Sequence, residues 1–266
     1  MIKKAVLAAV LTCAPLASIA EDFKMAVTTS FANSGLAEVL LPEIQADIDL
    51  NVQLLIVGTG QAIKLGEQGD VDAILVHSRP AEDKFIDQGF GTHRREIMYN
   101  DFIIIGPSVD PAQAKSSALT VEAFDKIAQS KADFVSRGDD SGTHKVELNL
   151  WKKSHITPEG DWYKSVGQGM GAALNTAAGM NAYILADRAS WLNFGNKQDL
   201  AIVFEGDPLL FNQYAYIPVN PEKHAHMNVA AAKRLEAWLV SPRAKALIEG
   251  YQIDGKKLFV FNAQLK

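Results

Sequence analysis

The chain has 266 residues, of which 48% are hydrophobic, and its acidic side chains outnumber the basic ones to give a formal charge of −5 at pH 7. This length and composition support one large hydrophobic core or two modest ones, and a net-negative chain without a basic cluster is a poor nucleic-acid binder. The single cysteine, Cys13, excludes an internal disulfide.

The first 20 residues have the pattern of an export signal. Two lysines precede an apolar run from Ala5 to about Leu11, Pro15 follows, and Ser18 and Ala20 occupy the −3 and −1 positions of a cleavage site. The segment is too short to remain as a membrane span. We therefore expect cleavage after Ala20 and export to the periplasm.

Removal of this segment changes what the mature chain can do. It takes away Lys3, Lys4 and Cys13, which leaves 24 basic and 31 acidic residues, a formal charge of −7. The mature chain then has no cysteine to act as a nucleophile or metal ligand. A lipoprotein processed at Cys13 is the less favoured alternative, because Thr12 stands where a smaller residue is usual. An anion would be held by local dipoles and one or two cations, against the net charge.

Strands and helices alternate along residues 21–107. The segment FKMAVT predicts a strand, residues 34–47 a helix and NVQLLIVG a second strand. A short helix at 59–68, the strand DAILVH and a helix at 80–88 follow. This order is typical of an α/β fold with a mainly parallel sheet.

A second αβ set follows a loop rich in proline and serine. Its predicted helices are 120–130, 143–154, 170–178 and 185–193, and its strands are 132–135 and 200–204. The strand-like NQYAYIPVNP then returns to the first unit, and 226–250 predicts two helices. We predict two lobes, one formed by 21–107 with 214–266 and the other by 108–213. Each is a mainly parallel sheet flanked by helices, with a ligand cleft between them.

Hydroxyl-rich turns lie where predicted strands give way to helices. They are VTTSFANSGL at 27–36, VGTGQA at 57–62 and SRGDDSGTH at 136–144, and the glycine-rich GQGMGAALN at 167–175 is a fourth candidate. Helix-start N–H groups, hydroxyls and an arginine can together bind an anion. Each turn alone is also explained as a helix cap. Four such turns, divided between two lobes, favour a shared oxyanion site.

These turns, together with QAIKLGEQGDVDAILVH, MYNDFIIIGPSVDPA and LFNQYAYIPVNP, closely resemble the periplasmic tungstate-binding proteins of the Tup-type ABC transporters. The resemblance covers nearly all of the mature chain in the same order. It implies a two-lobed type II periplasmic binding protein that closes on tungstate without a cofactor. Such a protein passes the anion to a membrane permease, and we expect it to be a monomer.

The resemblance also implicates particular residues in ligand binding, namely Thr28, Thr59, Arg137 and Thr143. Where the family usually has the first of three threonines, this chain has Val27. The remaining hydroxyls of that turn are retained, and the third turn contains one more. The predicted binding set is Thr28, Thr29, Ser30, Thr59, Arg137, Ser141 and Thr143.

The chemistry of a tetrahedral dianion agrees with such a set. The anion has four acceptor oxygens and no proton at neutral pH, so hydroxyls, backbone N–H groups and the five-donor fork of Arg137 suit it. A protonated phosphate carries an O–H group, and Asp139 or Asp140 could accept a hydrogen bond from it. We favour a role for them in capping the helix or orienting Arg137, because an aspartate directed at a dianion repels it. Molybdate, phosphate and sulfate stay alternative ligands, since sequence gives neither cavity size nor donor placement.

An anion-processing enzyme on the same fold is the alternative from another class. The sequence has no serine in an elbow motif, no Cys-His pair and no poised carboxylate pair, so we predict no catalytic residue. His224 and His226 resemble a metal pair, but a third ligand is lacking nearby and a solvated loop is favoured. Asp187 and Arg188 are expected to form a local ion pair.

Overall fold

The computed structural model describes residues 21–264, so the predicted export signal at 1–20 lies outside the described residues. Within that range, strands and helices alternate along most of the chain, as the sequence predicts. No helix between residues 21 and 264 combines the length and apolar character that crossing a bilayer requires.

The elements have the following bounds. The strands are β1 (Glu21–Thr28), β2 (Leu50–Val57), β3 (Ala73–Val76), β4 (Arg95–Pro107), β5 (Phe134–Ser136), β6 (Tyr163–Ser165), β7 (Tyr183–Asp187), β8 (Leu200–Phe204), β9 (Phe211–Pro218), β10 (Gln252–Ile253), β11 (Lys256–Lys257) and β12 (Val260–Phe261). The helices are α1 (Thr29–Asn33), α2 (Leu36–Ile48), α3 (Thr59–Gln68), α4 (Arg79–Asp87), α5 (Thr120–Ser130), α6 (Gly142–Lys153), α7 (Met170–Met180), α8 (Arg188–Asn193), α9 (Val229–Leu239) and α10 (Pro242–Gly250).

Two sets of parallel strands form the centre of the molecule. The first parallel set has the order β2-β1-β3, and the second has the order β6-β5-β7. Parallel strands that are covered by helices on both faces carry mostly apolar side chains. All four residues of β3 and all five of β7 are accordingly buried. The α/β prediction with a parallel centre to each lobe is confirmed.

Antiparallel pairing links the two parallel sets through β4 and β9. Strand β9 pairs with β3 and with the first half of β4, over Arg95–Asp101. The second half of β4 pairs with β7 over Phe102–Ile105 and with β8 over Ile104–Pro107. The 13-residue strand β4 therefore belongs to both halves of the sheet. The lobe boundaries stay predictions; one follows the last residue of β4 and the other falls inside β9.

An aromatic cluster fixes the helix that carries the third turn. Phe124 of α5 packs against Trp151 of α6 with ring centroids 4.4 Å apart, and Phe134 of β5 lies 5.1 Å from the same indole. All three rings are buried. Burial of such large side chains makes a major contribution to core stability. The cluster therefore holds the start of α6 in a defined place beside β5.

Two predicted helices differ from the structure. The helix predicted at 34–47 corresponds to α2, Leu36–Ile48, which begins after Gly35, whose φ of 79° lies in the left-handed region, and the short helix α1 before it was not predicted. The helix predicted at 185–193 is wrong over 185–187, since Tyr183–Asp187 is strand β7 and only Arg188–Asn193 is helical. The run is buried on both faces, so its apolar residues carry no alternating pattern that would distinguish strand from helix.

Candidate anion-binding site

Turns from both parallel sets border one cleft of about 670 Å³, and a recess of about 10 Å³ shares six lining residues with it. The recess is lined by Thr28, Thr29, Ser30, Gly58, Thr59, His77, Arg137, Ser141, Gly142 and Thr143. All seven residues predicted to bind the ligand are therefore brought together. The recess has room for about one water molecule, so a larger anion would also occupy part of the cleft.

The first turn places two hydroxyls at the end of β1. Thr28 is 2% exposed and extended, and it caps α1 by accepting a hydrogen bond from the Phe31 N–H at 3.3 Å. The Ser30 hydroxyl lies 3.0 Å from the Thr28 hydroxyl. A capping residue at the carboxyl end of a parallel strand directs its side chain toward the edge where ligands bind.

The second and third turns approach each other closely. Thr59 is buried as the first residue of α3, and Thr143 is buried in the first turn of α6. Ser141 caps α6 by accepting from the His144 N–H at 3.3 Å. A Cβ on Gly142 would lie 2.8 Å from a His77 ring carbon and 3.2 Å from the Thr59 hydroxyl. Glycine is therefore required there by the close approach of the two turns.

Arg137 is the cation of the recess, and only 8% of this residue is exposed. It donates to one carboxylate oxygen of Asp139 through Nε, at 3.1 Å, and through Nη2. The other Asp139 oxygen accepts from the Ser141 N–H at 3.2 Å. Burial alone would raise the pKa of Asp139, but its bonds to Ser141 and the charge of Arg137 hold it below its ordinary value. Asp139 thus orients Arg137, as predicted.

Asp140 has a different role from its neighbour. Its side chain is 86% exposed and lies 3.5 Å from the ammonium of Lys145. Its backbone N–H donates to Nδ1 of His144 at 3.1 Å. The prediction of an orienting or capping carboxylate is therefore confirmed for Asp139 and wrong for Asp140.

The fourth turn also reaches the cleft. Gly169, extended at φ −64° and ψ 164°, precedes α7, and it lines the cleft together with Met170 and Gly171. The wall of the cleft at this point consists of backbone atoms and not of side-chain donors. This arrangement suits an anion approaching the start of an 11-residue helix.

His77 is a site residue that the sequence reasoning missed. It follows β3 and is 8% exposed; its Nε2 lies 3.1 Å from the Ser30 hydroxyl. Its ring centroid is 4.8 Å from that of Tyr214. Burial lowers the pKa of His77 to about 4, so the imidazole is neutral at pH 7. A lone histidine after a short apolar strand carries no motif, and only the fold shows that it lies beneath Ser30.

Asp187 was also missed as a cleft residue. It ends β7 and caps α8 by accepting from the Ser190 N–H at 2.8 Å. Within residues 21–264 its other carboxylate oxygen is buried without a hydrogen-bond partner, and burial raises its pKa. The predicted ion pair with Arg188 is wrong. Arg188 instead pairs with Asp101 and Glu205, both more than ten residues away in sequence.

Metal binding has no candidate centre in the part of the chain that the structure describes. No cluster of three or more His, Cys, Asp or Glu residues there is arranged to hold an ion. The Nε2 atoms of His224 and His226 lie 2.9 Å from the carbonyl oxygens of Glu67 and Gly69. Both histidines lie in the loop before α9, where His226 is exposed and His224 is half-buried, so the predicted loop is confirmed, and their rings also hold it against the end of α3.

The chain is similar to known proteins along most of its length. The PBP superfamily domain matches residues 17–243. The tungstate-binding protein TupA of Peptoclostridium acidaminophilum is 46% identical over 243 residues, which are 90% of this chain and 85% of that protein.

Two solved structures are similar along nearly their whole length. The tungstate-binding protein TupA from Desulfovibrio alaskensis G20 has a TM-score of 0.84 and 42% identity, covering 92% of this chain and 100% of that one. The structure described as the tungstate ABC transporter from Geobacter sulfurreducens has a TM-score of 0.80 and 45% identity, covering 87% of this chain and 99% of that one.

Proposed function

Because the chain belongs to the PBP superfamily and, within it, to the family of the TupA tungstate-binding proteins, we propose that it is the solute-binding protein of an ABC transporter and captures tungstate. It acts in the periplasm after removal of its export signal and delivers the anion to a membrane permease. It works as a monomer, without a cofactor and without catalysing a reaction.

The observation that carries this proposal is the convergence of donors from both parallel sets on one recess. Thr28, Ser30 and Thr59 come from the first set, and Arg137 and Thr143 come from the second. Hydroxyls, N–H groups and a guanidinium can each donate a hydrogen bond, as the four acceptor oxygens of a dianion require. We assign ligand binding to these residues together with Thr29 and Ser141.

Because the chain as a whole is negatively charged, binding of an anion depends on the donors and charges within the recess. Arg137 has five N–H donors, and Asp139 occupies two of them at one edge of the fork. The remaining donors are free to meet an anion oxygen. Burial raises the pKa of the Asp187 carboxyl, which also lines the cleft, so this carboxyl is protonated more easily than an exposed aspartate.

The donors are divided between the two parallel sets, so we expect the cleft to close around a bound anion. An anion bridging the two parallel sets would draw them together by bending at β4 and β9, the antiparallel strands that link them. A saturating anion would also stabilise the fold by mass action, by about 4 kcal/mol at a thousand times Kd.

Calorimetry of the mature chain, residues 21–266, with tungstate tests the function. We expect one tight tungstate site per chain. Molybdate should compete for this site with lower affinity than tungstate. If molybdate, phosphate or sulfate binds more tightly than tungstate, the protein is a carrier of that oxyanion instead. If none of the four anions binds, the transport proposal fails, and turnover of phosphoryl or acyl substrates becomes the measurement that supports an enzyme.

A further inference from the structure

The hydroxyls of Thr28 and Ser30 belong to a hydrogen-bonded chain that extends from the recess into the core. The Ser30 oxygen lies 3.0 Å from the Thr28 hydroxyl, 3.1 Å from Nε2 of His77 and 3.2 Å from the hydroxyl of Tyr214. His77 is buried and Tyr214 is fully buried. The chain therefore runs from Tyr214 in the core and from His77 at the base of the recess, through Ser30, to Thr28.

The capacity of a hydroxyl limits how protons are arranged in this chain. A serine hydroxyl has one hydrogen to donate and two lone pairs to accept with. Ser30 has three neighbours, so if His77 and Tyr214 both donate to it, both lone pairs are used. Its single hydrogen is then directed to the third neighbour, Thr28.

The same count fixes the direction of the Thr28 hydroxyl. Its oxygen accepts from the Phe31 N–H at 3.3 Å. With Ser30 as the second donor, both lone pairs of Thr28 are used and its own hydrogen is free for the recess. If Nε2 of His77 were instead an acceptor, Ser30 would donate to the imidazole and Thr28 would donate to Ser30. Thr28 would then present a lone pair, which repels an anion.

The surroundings of His77 favour the first arrangement. The ring is neutral at pH 7, so it carries one proton, and the unprotonated nitrogen is an acceptor. In the described part of the chain Nδ1 is buried and makes no hydrogen bond, although the side chain of Asn212 lies near the ring. Among backbone groups a buried N–H without a partner is rarer than an under-satisfied acceptor, and we apply the same order to the two ring nitrogens. The proton therefore belongs on Nε2, facing Ser30.

We propose that His77 and Tyr214 are positioning residues that set the Thr28 hydroxyl as a donor toward the bound oxyanion, acting through Ser30. The inference rests on the proposed function, since the anion is the group that requires a donor. It adds a second tier to the site, in which the His77 imidazole and the Tyr214 hydroxyl decide, through Ser30, the polarity of the Thr28 hydroxyl.

Four variants test the proposal by calorimetry with tungstate. Tyr214→Phe and His77→Leu each remove one donor to Ser30. A lone pair of Ser30 can then accept from Thr28, so the Thr28 hydrogen is no longer held toward the recess. We expect each to weaken binding about 3- to 10-fold. His77→Gln keeps an N–H near the position of Nε2 and should stay within about twofold of the parent.

The matched control is Tyr216→Phe on the same strand. Tyr216 is also fully buried, and its hydroxyl donates to the Ala232 carbonyl at 3.1 Å, within the core around α9. Its removal costs a comparable hydrogen bond but should leave tungstate affinity unchanged within about twofold. Equal affinities for Tyr214→Phe, His77→Leu and Tyr216→Phe would overturn the proposal.

A spectroscopic measurement on the parent protein decides the tautomer without any ligand. Long-range proton–nitrogen correlation of selectively labelled histidine should show the His77 proton on Nε2 and a bare Nδ1 at pH 7. A proton on Nδ1 overturns the inference even if tungstate binds. Failure of the parent to bind tungstate, with the proton on Nε2, overturns the proposed function and leaves the hydrogen-bonded chain as found.

Discussion

The carboxylate of Asp139 holds the guanidinium of Arg137 by two hydrogen bonds from Nε and Nη2 to the same oxygen. The two residues are separated by Gly138, whose φ of 60° turns the chain back on itself. A Cβ at Gly138 would collide with the Ser165 hydroxyl, so the turn also needs glycine for space. The only cation of the recess is therefore aimed by its own turn.

Replacement of Arg137 by alanine should weaken tungstate binding at least about tenfold and up to several hundredfold. Hydrogen bonds to charged groups contribute about 1.5 to 3 kcal/mol, and a buried anion left without its cation loses more. Arg137→Lys keeps the positive charge but lacks the forked guanidinium, so its tungstate affinity should lie between those of the parent and of Arg137→Ala. Calorimetry measures all three. Parent-like affinity in a folded Arg137→Ala variant would show that the turn is only a helix cap.

The Asp139 carboxylate should stabilise the fold in a pH-dependent way. Its pKa in the folded chain is below the ordinary 3.8, so its contribution is present above that pH and is lost as pH falls through the lowered value. Asp139→Asn should lower Tm by a few degrees at pH 7 and by less near pH 3. Asp140→Asn is the matched control, because that carboxylate is 86% exposed. A pH-independent loss would contradict the linkage.

A methyl group at Gly142 should disturb binding more than folding. It would lie 2.8 Å from the His77 ring and 3.2 Å from the Thr59 hydroxyl, which forces the second and third turns apart. We expect Gly142→Ala to weaken tungstate binding about 3- to 10-fold, through one or two lengthened neutral hydrogen bonds. Gly179→Ala in α7 is the control, since no atom lies within 4 Å of the added carbon. Equal affinities would show that the approach is not needed.

Glu147 should limit stability at alkaline pH. Burial raises its pKa to about 7, although Tyr163 donates to its Oε1 at 2.6 Å and Trp151 at 3.1 Å. Because the unfolded carboxyl has a pKa near 4.5, the folded state holds an extra proton, and stability falls as pH rises from about 4.5 to 7.

Glu147→Gln removes that titration while keeping an oxygen that accepts both bonds. The variant should be more stable than the parent by about 1 to 3 kcal/mol at pH 8, and close to it at pH 4.5. Urea unfolding at the two pH values measures the difference. The same gain at both pH values would assign the effect to packing instead of ionisation.

Processing of the exported chain should leave Glu21 at the N-terminus. The pattern of the first 20 residues motivates this, and N-terminal sequencing of protein from the periplasm measures it. Retention of Met1 in a cytoplasmic protein would contradict the transport role. A blocked, lipid-modified Cys13 would instead establish the less favoured lipoprotein alternative.

The sequence predicted helices that start at polar turns well and predicted long-range neighbours poorly. The start of α3 at Thr59 and the bounds 120–130 of α5 agree with the structure, because the apolar periodicity and the turn residues that predict them are local. His77 and Tyr214 are 137 positions apart, and the pairing of β3 with β9 alone brings them together. Asp187 was hidden for another reason, since β7 passes directly into α8 at Arg188 with no glycine, proline or loop to mark the boundary.

The sharing of β4 has a consequence for how the protein can be divided. Its first half lies between β9 and β12, and its second half lies between β7 and β8. A fragment containing only one parallel set would therefore lack a central strand or carry half of β4 with open edges. Unpaired edges invite aggregation. The two lobes are accordingly not autonomous folding units, and the intact chain should unfold in a single cooperative transition.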